Sequence, residues 1–462
     1  MKKYLAIILA VCMALSLAAC SGSKDGNDNG TAQSQDGGNA QVDNSGKDSD
    51  KGTNKDSGGN AGEEVTLNFL IMPDIEALQP TIDQFEELNP GVKINVESLP
   101  FDNMFEAIEV RLGAQEESVD MLLVDAPVVA NYTAKGFLAD LNEFVSDESK
   151  GRITESSLGA GTIGGELMAL PLYSSCVNLY YNKAIFDEKG IPYPENDVDK
   201  RMTWEEVTEI AKQLTYEKDG KQIYGLSFEQ INRPYQLLPL AQSLGADKFV
   251  SDDGMITTGY TNSPEMVKSC QWYYDTFNTW KISPKISADD AVGYFTGGQV
   301  AMFIGGSWQI PAMQDAGMDF GYAPHPYFEG GEATTPTGSW YAGVSNYSKN
   351  KEMAAKFVEW LTTDDEACQS NYEILKNLPC NISVLNSIDA DPKFDEFPES
   401  VTKLNVYESM NTAKARPQMA GYEEWQNVIQ QTYSDIMNGS DPQKALDSAV
   451  TEIDNQLRKY QN

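Results

Sequence analysis

Between Glu63 and Val124 the chain switches repeatedly between two hydrophobic periods, and this switching restricts its fold more than any other feature. Val65, Leu67, Phe69 and Ile71 recur at every second residue, the spacing of a strand. Pro80–Leu88 follows with Ile82, Phe85 and Leu88 on one helical face, until Asn89-Pro90-Gly91 stops it. Val92, Ile94 and Val96 predict a second strand, Phe101–Leu112 a helix, and Met121–Val124 a continuous apolar strand of the kind buried in parallel sheets. Strands alternating with helices predict βαβ units and an α/β, doubly wound sheet. Ligands of such sheets sit beyond the carboxyl ends of the strands. Asp74, Glu76, Asp102 and Asp125 stand there, each equally readable as a loop or cap carboxylate.

Ahead of this region, Met1–Cys20 has Lys2 and Lys3, an apolar run from Leu5 to Leu17, and small residues before Cys20. The run is short for a membrane span and has the anatomy of a signal peptide. Leu17-Ala18-Ala19-Cys20 resembles the lipobox of bacterial lipoproteins. That resemblance implies cleavage before Cys20, diacylglycerol on its sulfur, and attachment to the outer face of the cell membrane; the alternative is an ordinary signal with an incidental cysteine. Residues 21–62 are Gly, Ser, Asn, Asp and Lys with almost no apolar side chain, which predicts a disordered tether. The folded domain is then 63–462.

The formal net charge of -35 argues against nucleic acid and against electrostatic docking on anionic lipid. One histidine, His325, lies between Pro324 and Pro326, so His-based triads and multi-His zinc sites are not expected. Cys176, Cys270, Cys368 and Cys380 have no zinc-like spacing; Cys368 and Cys380 are either a disulfide or two free thiols. Gly159-Ala-Gly161-Thr-Ile-Gly164 matches the dinucleotide fingerprint literally, but no clear strand precedes it, and Gly165 and Pro171 interrupt the stretch after it. It reads as a hairpin entry, and neither a cofactor nor a metal is expected.

Further on, Gly165–Ile191 reads as a strand, a Pro-marked loop, a second strand and a short helix ended by Gly190. Thr203-Trp-Glu-Glu206 is a capping box. Tyr224–Phe228 predicts a strand, Pro234–Leu244 and Pro264–Trp280 helices, Gly338–Ser345 a strand and Met353–Leu361 a helix. Asp441-Pro442 caps a last helix. In Gly293–Pro311, a turn at Gly297-Gly298 leads into a strand over Val300–Ile304, a second turn at Gly305-Gly306, Ser307 placed to cap a helix, and Trp308. Paired glycines let a backbone come close to another group, and an aromatic just beyond them is either a ligand platform or core.

Taken in order, these segments resemble the family 1 extracellular solute-binding proteins, the maltose-binding-protein-like sugar receptors of ABC importers. The resemblance is carried by FEELNPGVKINV (Phe85–Val96), VDMLLVDAPVVANYTAKGFLADL (Val119–Leu141), ALPLYSSCVNLYYNKAIF (Ala169–Phe186), MTWEEVTEIAKQL (Met202–Leu214), Phe295–Trp308, GSWYAGVSNYSKNKEMAAKFVEWL (Gly338–Leu361) and a terminal NGSDPQKALDSAV helix. It implies a two-lobe periplasmic-binding-protein-like fold of type II, each lobe a doubly wound sheet flanked by helices. Hinge crossovers are expected near Ser175–Val177 and Tyr341–Val344. Lobe 1 is expected at approximately 63–174 plus 345–385, and lobe 2 at approximately 176–341 plus 386–462.

The implied protein is a monomeric, non-enzymatic receptor that holds a carbohydrate between its lobes and delivers it to ABC permease subunits. A sugar offers apolar C–H faces and a rim of hydroxyls, so its site needs aromatic platforms beside carboxylates, amides or Arg. The resemblance puts Trp308 where the family stacks an aromatic and Asp125 where members often have a polar contact. Trp340, just before a predicted crossover, and Trp425, in a C-terminal segment with Tyr422 and Arg416, come next, with Tyr173 and Ser175 in the loop before the first crossover and Asp74 and Glu76 at the strand ends. Some relatives carry an acid where this chain has Ser175. Three alternatives stay open: a receptor for a polyamine or another cationic solute, a secreted glycosidase using paired carboxylates, and a carbohydrate adhesin.

Overall fold

The alternating region folds into β1 (Val65–Ile71), β2 (Val92–Ser98) and β3 (Met121–Asp125), with α1 (Phe101–Gly113) between the last two. The structure is a computed structural model and describes residues 64–460. The signal peptide expected at 1–20, with its Cys20, and the tether expected at 21–62 lie outside the described residues. β1 runs parallel to β2, Phe69 opposite Val96, and parallel to β3, Phe69 opposite Met121. Helical returns are what allow neighbouring strands to share a direction. β3 is buried at every position, as its unbroken apolar run requires.

One strand, β4 (Ala169–Asn182), serves two sheet halves. The remaining strands are β5 (Lys221–Phe228), β6 (Val300–Gly306), β7 (Phe320–Ala323) and β8 (Thr335–Val344). The order is β2-β1-β3-β8-β4-β6-β5, with the short strand Tyr216–Lys218 beyond β5. From Ala169 to Cys176, β4 pairs antiparallel with β8; from Val177 to Tyr181 it pairs with β6, while Leu179–Asn182 also pair with β7. The exchange of partners thus falls between Cys176 and Val177.

Pro171 does not break this strand into two, as its sequence predicted. Trp340 of β8 faces Tyr173 and Tyr341 faces Pro171, so Leu172 is an extra residue on β4. A bulge is one of the few places where a sheet accepts proline. The second crossover also differs from expectation. Tyr341–Val344 lie inside the first sheet half, paired with β3 on one side, and Tyr341–Gly343 with β4 on the other. β8 starts at Thr335, beside the short strand Ala413–Lys414. Likewise Gly305 and Gly306 are not a turn: pairing with Asn178 and Val177 keeps them in β6. Ser307 then caps nothing and forms the 3-10 turn Ser307–Gln309 after Gly306.

Helices cover both halves. α2 (Pro234–Ser243) is buried along its whole length. α3 (Ser400–Asn411) lies behind β4, where Asn178 Nδ2 donates to Asn405 Oδ1 at 2.6 Å. Its Glu408, fully buried, meets Arg201 at 2.8 Å and accepts a hydrogen bond from Thr335 at the start of β8. α4 (Tyr422–Met437) buries Trp425, Ile429, Tyr433 and Ile436. Thr203 and Glu206 form the predicted capping box, and Asp441 caps Pro442–Leu457.

Candidate functional site

Three neighbouring strands present one polar-aromatic row. Trp340 on β8 lies in register with Asp125 at the carboxyl end of β3 and with Tyr173 on β4. Directly paired residues share a face, and Ser175, two residues beyond Tyr173, shares it as well. All four line a cavity of about 540 Å³. Phe105 of α1 backs Trp340, ring centres 6.2 Å apart.

Further lining comes from the end of β6 and from α2. Just after β6, the half-exposed Trp308 folds back so that its ring covers Gly306; a Cβ on Gly306 would lie 2.1 Å from the ring. Tyr235 of α2 uses the same device, because a Cβ on Gly338 of β8 would come within 2.8 Å of its ring. Glycine at these two positions is what lets both rings rest on backbone. The rings stand 6.3 Å apart at 37°. Ser175 Oγ donates to Gly338 O at 2.9 Å, which leaves the Tyr235 hydroxyl to donate to Ser175 at 3.2 Å. Burial pushes the Tyr235 hydroxyl well above the ordinary tyrosine range.

Charge enters through Arg416. Its two terminal nitrogens hold both oxygens of Asp125, at 2.6 and 2.8 Å, and its guanidinium lies 5.2 Å from the Tyr235 ring centre. Burial works against the charged guanidinium, but Asp125 and the Tyr422 and Tyr235 hydroxyls outweigh it and raise its pKa. Along α4, Glu423, Gln426, Asn427 and Gln430 line the cavity at helical spacing. Lys135 joins Glu423 to Glu109 of α1, at 3.0 and 2.7 Å. Burial raises the Glu423 pKa, Lys135 opposes this and Glu109 adds to it. The result is two indole faces, a paired carboxylate and guanidinium, and a stripe of amides: flat apolar surfaces ringed by donors and acceptors.

Of the residues expected from sequence, the cavity gathers Trp308, Trp340, Asp125, Tyr173, Ser175 and Arg416. Trp425 does not join them. It is fully buried, donates from Nε1 to Thr261 at 3.0 Å and packs beside Phe249, so its face meets core. Tyr422 is also fully buried, donating to Gln426 at 2.8 Å and accepting from Arg416 at 3.2 Å; it supports the wall from behind. Glu76 is exposed on the 3-10 turn Pro73–Leu78 and lines no part of the cavity. The side chains of Asp74 and Asp102 lie outside what is described. Cys176, Cys270, Cys368 and Cys380 are buried free thiols. The dinucleotide-like glycines end the helix Glu155–Ala160 and enter the hairpin of Thr162–Ile163 with Glu166–Leu167.

Sequence reasoning missed Tyr235, Gln230, Arg233 and the α4 stripe, all of which line the cavity, and it missed Glu229 behind Trp308. The signal for the stripe was present: polar residues at positions 423, 426, 427 and 430 oppose the apolar face of the same helix. Glu229 directly follows β5, so the strand-end rule that selected Asp125 applied to it too.

Known proteins share this architecture. An ABC substrate-binding protein of Listeria monocytogenes, solved in complex with cycloalternan, superposes with a TM-score of 0.74 at 23% identity, covering 86% of this chain and 100% of that one. A solute-binding protein from Thermotoga lettingae, bound with alpha-D-tagatose, gives a TM-score of 0.72 at 25% identity over 85% and 100% of the two chains. In sequence, the chain is 26% identical over 337 residues to a maltotriose-binding protein of Pyrococcus abyssi, covering 71% of this chain and 69% of that protein. It is 24% identical over 389 residues to a maltodextrin-binding protein of Bacillus subtilis, with 83% and 88% covered. The fold is therefore the two-lobed periplasmic-binding-protein type. The model of the bacterial extracellular solute-binding proteins matches residues 72–367, and the chain belongs to that family.

Proposed function

We propose that the protein is an extracellular receptor that binds a mono- or oligosaccharide between its lobes and delivers it to an ABC permease without altering it chemically. The observation that carries this reading is the pairing of Trp308 and Trp340, both half-exposed, on the walls of one cavity that also holds the Asp125–Arg416 ion pair. Indole faces cover the C–H faces of a pyranose, while the charged pair and the α4 amides supply donors and acceptors for its hydroxyls. The sugars named for the relatives support the same choice. The lipobox-like end of the leader supports acylation of Cys20 and tethering at the outer face of the cell membrane.

A thermal-shift screen of the mature protein against maltose, maltotriose, galacto-oligosaccharides, alpha-D-tagatose and spermidine tests the reading. A rise in melting temperature with at least one sugar, confirmed by calorimetry, is the expected result. A shift from spermidine alone overturns it in favour of a cationic solute, and release of reducing ends from an oligosaccharide overturns it in favour of a glycosidase. For the anchor, Cys20→Ser should move the full-length protein from the membrane fraction to the medium; unchanged membrane association removes Cys20 as the attachment point.

A further inference from the structure

Behind Trp308, outside the cavity, Glu229 is only 7% exposed, and four hydrogen bonds converge on its carboxylate. Oε1 accepts from Trp308 Nε1 at 2.6 Å and from Gln309 Nε2 at 2.6 Å; Oε2 accepts from the Gly306 backbone N–H at 3.1 Å and from Gln236 Nε2 at 2.9 Å. Gln236 is itself oriented, because its Oε1 accepts from the Gln230 backbone N–H at 2.9 Å. Every one of these partners donates. A carboxylate, with two accepting oxygens and no donor, is the one side-chain end group that satisfies all four at once. A glutamine would set its own N–H groups against two of them.

Burying a carboxylate is costly unless its oxygens are fully hydrogen-bonded. Burial raises the Glu229 pKa, and the bonds from Gln309, Trp308, Gly306 and Gln236 counter that rise. A buried acid of this kind needs an account, and its partners provide one. Three of the four belong to the short segment that carries the indole, Gly306 through Gln309, and the fourth comes from α2, which also carries Tyr235. The carboxylate thus fixes the indole at its nitrogen edge while Gly306 lies beneath its six-membered ring.

We infer that Glu229 is a positioning residue: it touches no ligand and holds the Trp308 ring in the one orientation that presents its face to the cavity. The inference rests on the reading of Trp308 as a ligand platform. It implies that the affinity contributed by the indole depends on its N–H as much as on its aromatic face. Phenylalanine at position 308 keeps a face but has nothing for Glu229 to hold.

Two measurements test this. Isothermal titration with maltotriose as the probe compares the wild type, Glu229→Gln, Trp308→Phe and the double variant. The expected outcome is a loss of at least tenfold for each single variant and a double variant within about twofold of Trp308→Phe alone, because coupled residues are not additive. Losses that multiply overturn the inference. The second measurement needs no ligand: fluorine NMR of 5-fluorotryptophan-labelled protein, with the Trp308 resonance assigned by its absence in Trp308→Phe. In the wild type this resonance should be a single sharp line, and in Glu229→Gln it should shift and broaden while the other tryptophan lines stay in place. An unmoved Trp308 line overturns the inference even if maltotriose binds no variant, so failure of the sugar reading and failure of the positioning role remain separate results. Should Glu229→Gln misfold, Gln236→Leu, which removes one anchor of the carboxylate, is read in the same way by both measurements.

Discussion

Arg416 and Asp125, 291 residues apart in sequence, meet through two parallel hydrogen bonds of 2.6 and 2.8 Å with both side chains about nine-tenths buried. A planar guanidinium matched to a carboxylate is the strongest geometry such a pair can adopt. It ties the segment before α4 to the carboxyl end of β3.

Removing one partner should therefore cost more than removing both. Arg416→Met leaves the Asp125 carboxylate buried without its counter-ion, and we expect a loss of about 3–5 kcal/mol in unfolding free energy. Combining it with Asp125→Leu should restore part of that loss. Urea unfolding of the two single variants and the double variant checks this; a double variant as unstable as the sum of the singles means that the residues act independently.

Trp308 and Trp425 should separate binding from stability. Trp308→Ala removes a cavity-lining platform, so sugar affinity should fall by about 2–4 kcal/mol, roughly 30- to 700-fold. It also takes one of four donors from the buried Glu229 carboxylate, so the free protein should lose a smaller amount of stability, about 1–3 kcal/mol. Trp425→Ala empties a fully buried site and should cost about 3–5 kcal/mol of stability. Calorimetric titration and thermal unfolding of both variants are the measurements. Unchanged affinity in Trp308→Ala returns that residue to the core.

His325 should make the fold sensitive to acid. Burial, then the nearby Arg201 charge, lowers its pKa from 6.5 to about 3. Between those values the unfolded chain binds a proton that the native imidazole does not, so the contribution is fully present above pH 6.5 and is lost as pH falls toward 3. The slope from this one group is about 1.4 kcal/mol per pH unit within that window. Unfolding free energy measured from pH 7 to 4 in His325→Phe should decline less steeply than in the wild type; parallel curves mean that the ring does not remain neutral in the native state.

The cysteines of the folded region should be silent until it unfolds. Cys176, Cys270, Cys368 and Cys380 are buried, and burial raises every one of their pKa values, Cys270 to about 12 and Cys380 to about 11. The thiolate is the reactive form. A fragment of residues 63–462 should give no reaction with Ellman's reagent in native buffer and four thiols in guanidinium chloride. Two thiols in denaturant would instead mean that one disulfide forms, and peptide mapping would then test Cys368–Cys380 as the pair.

Local pattern carried much of the fold. The period-two run at Val65–Ile71, the stop at Asn89-Pro90-Gly91 and the cap at Asp441 depend on neighbouring residues, and each occurs as read. What sequence obscured depends on partners far along the chain. Pro171 looked like a break because its bulge is visible only against Trp340 and Tyr341, and Gly305-Gly306 looked like a turn because the strand that holds them flat is β4. The site follows the same division. Trp308 and Asp125 stand where a strand-end rule finds them, whereas Trp425 has the composition of a platform but, at 0% exposure, the burial of a core residue. Glu229 stands at a strand end too, yet its role is visible only through Trp308. Tyr235 carried no local mark at all, since its place comes from Ser175 and Gly338.

β4 is an interior strand in both sheet halves, and this has a consequence for how the protein is lost. Pairing with β8 over Ala169–Cys176 and with β6 and β7 over Val177–Asn182 leaves neither half a private set of strands. A break in the chain near Val177 would hand each fragment half a strand and an open edge, and open edges seek other chains. Whichever half frays first strips a paired neighbour from the other. Melting should accordingly be a shared event, seen as one calorimetric peak rather than two.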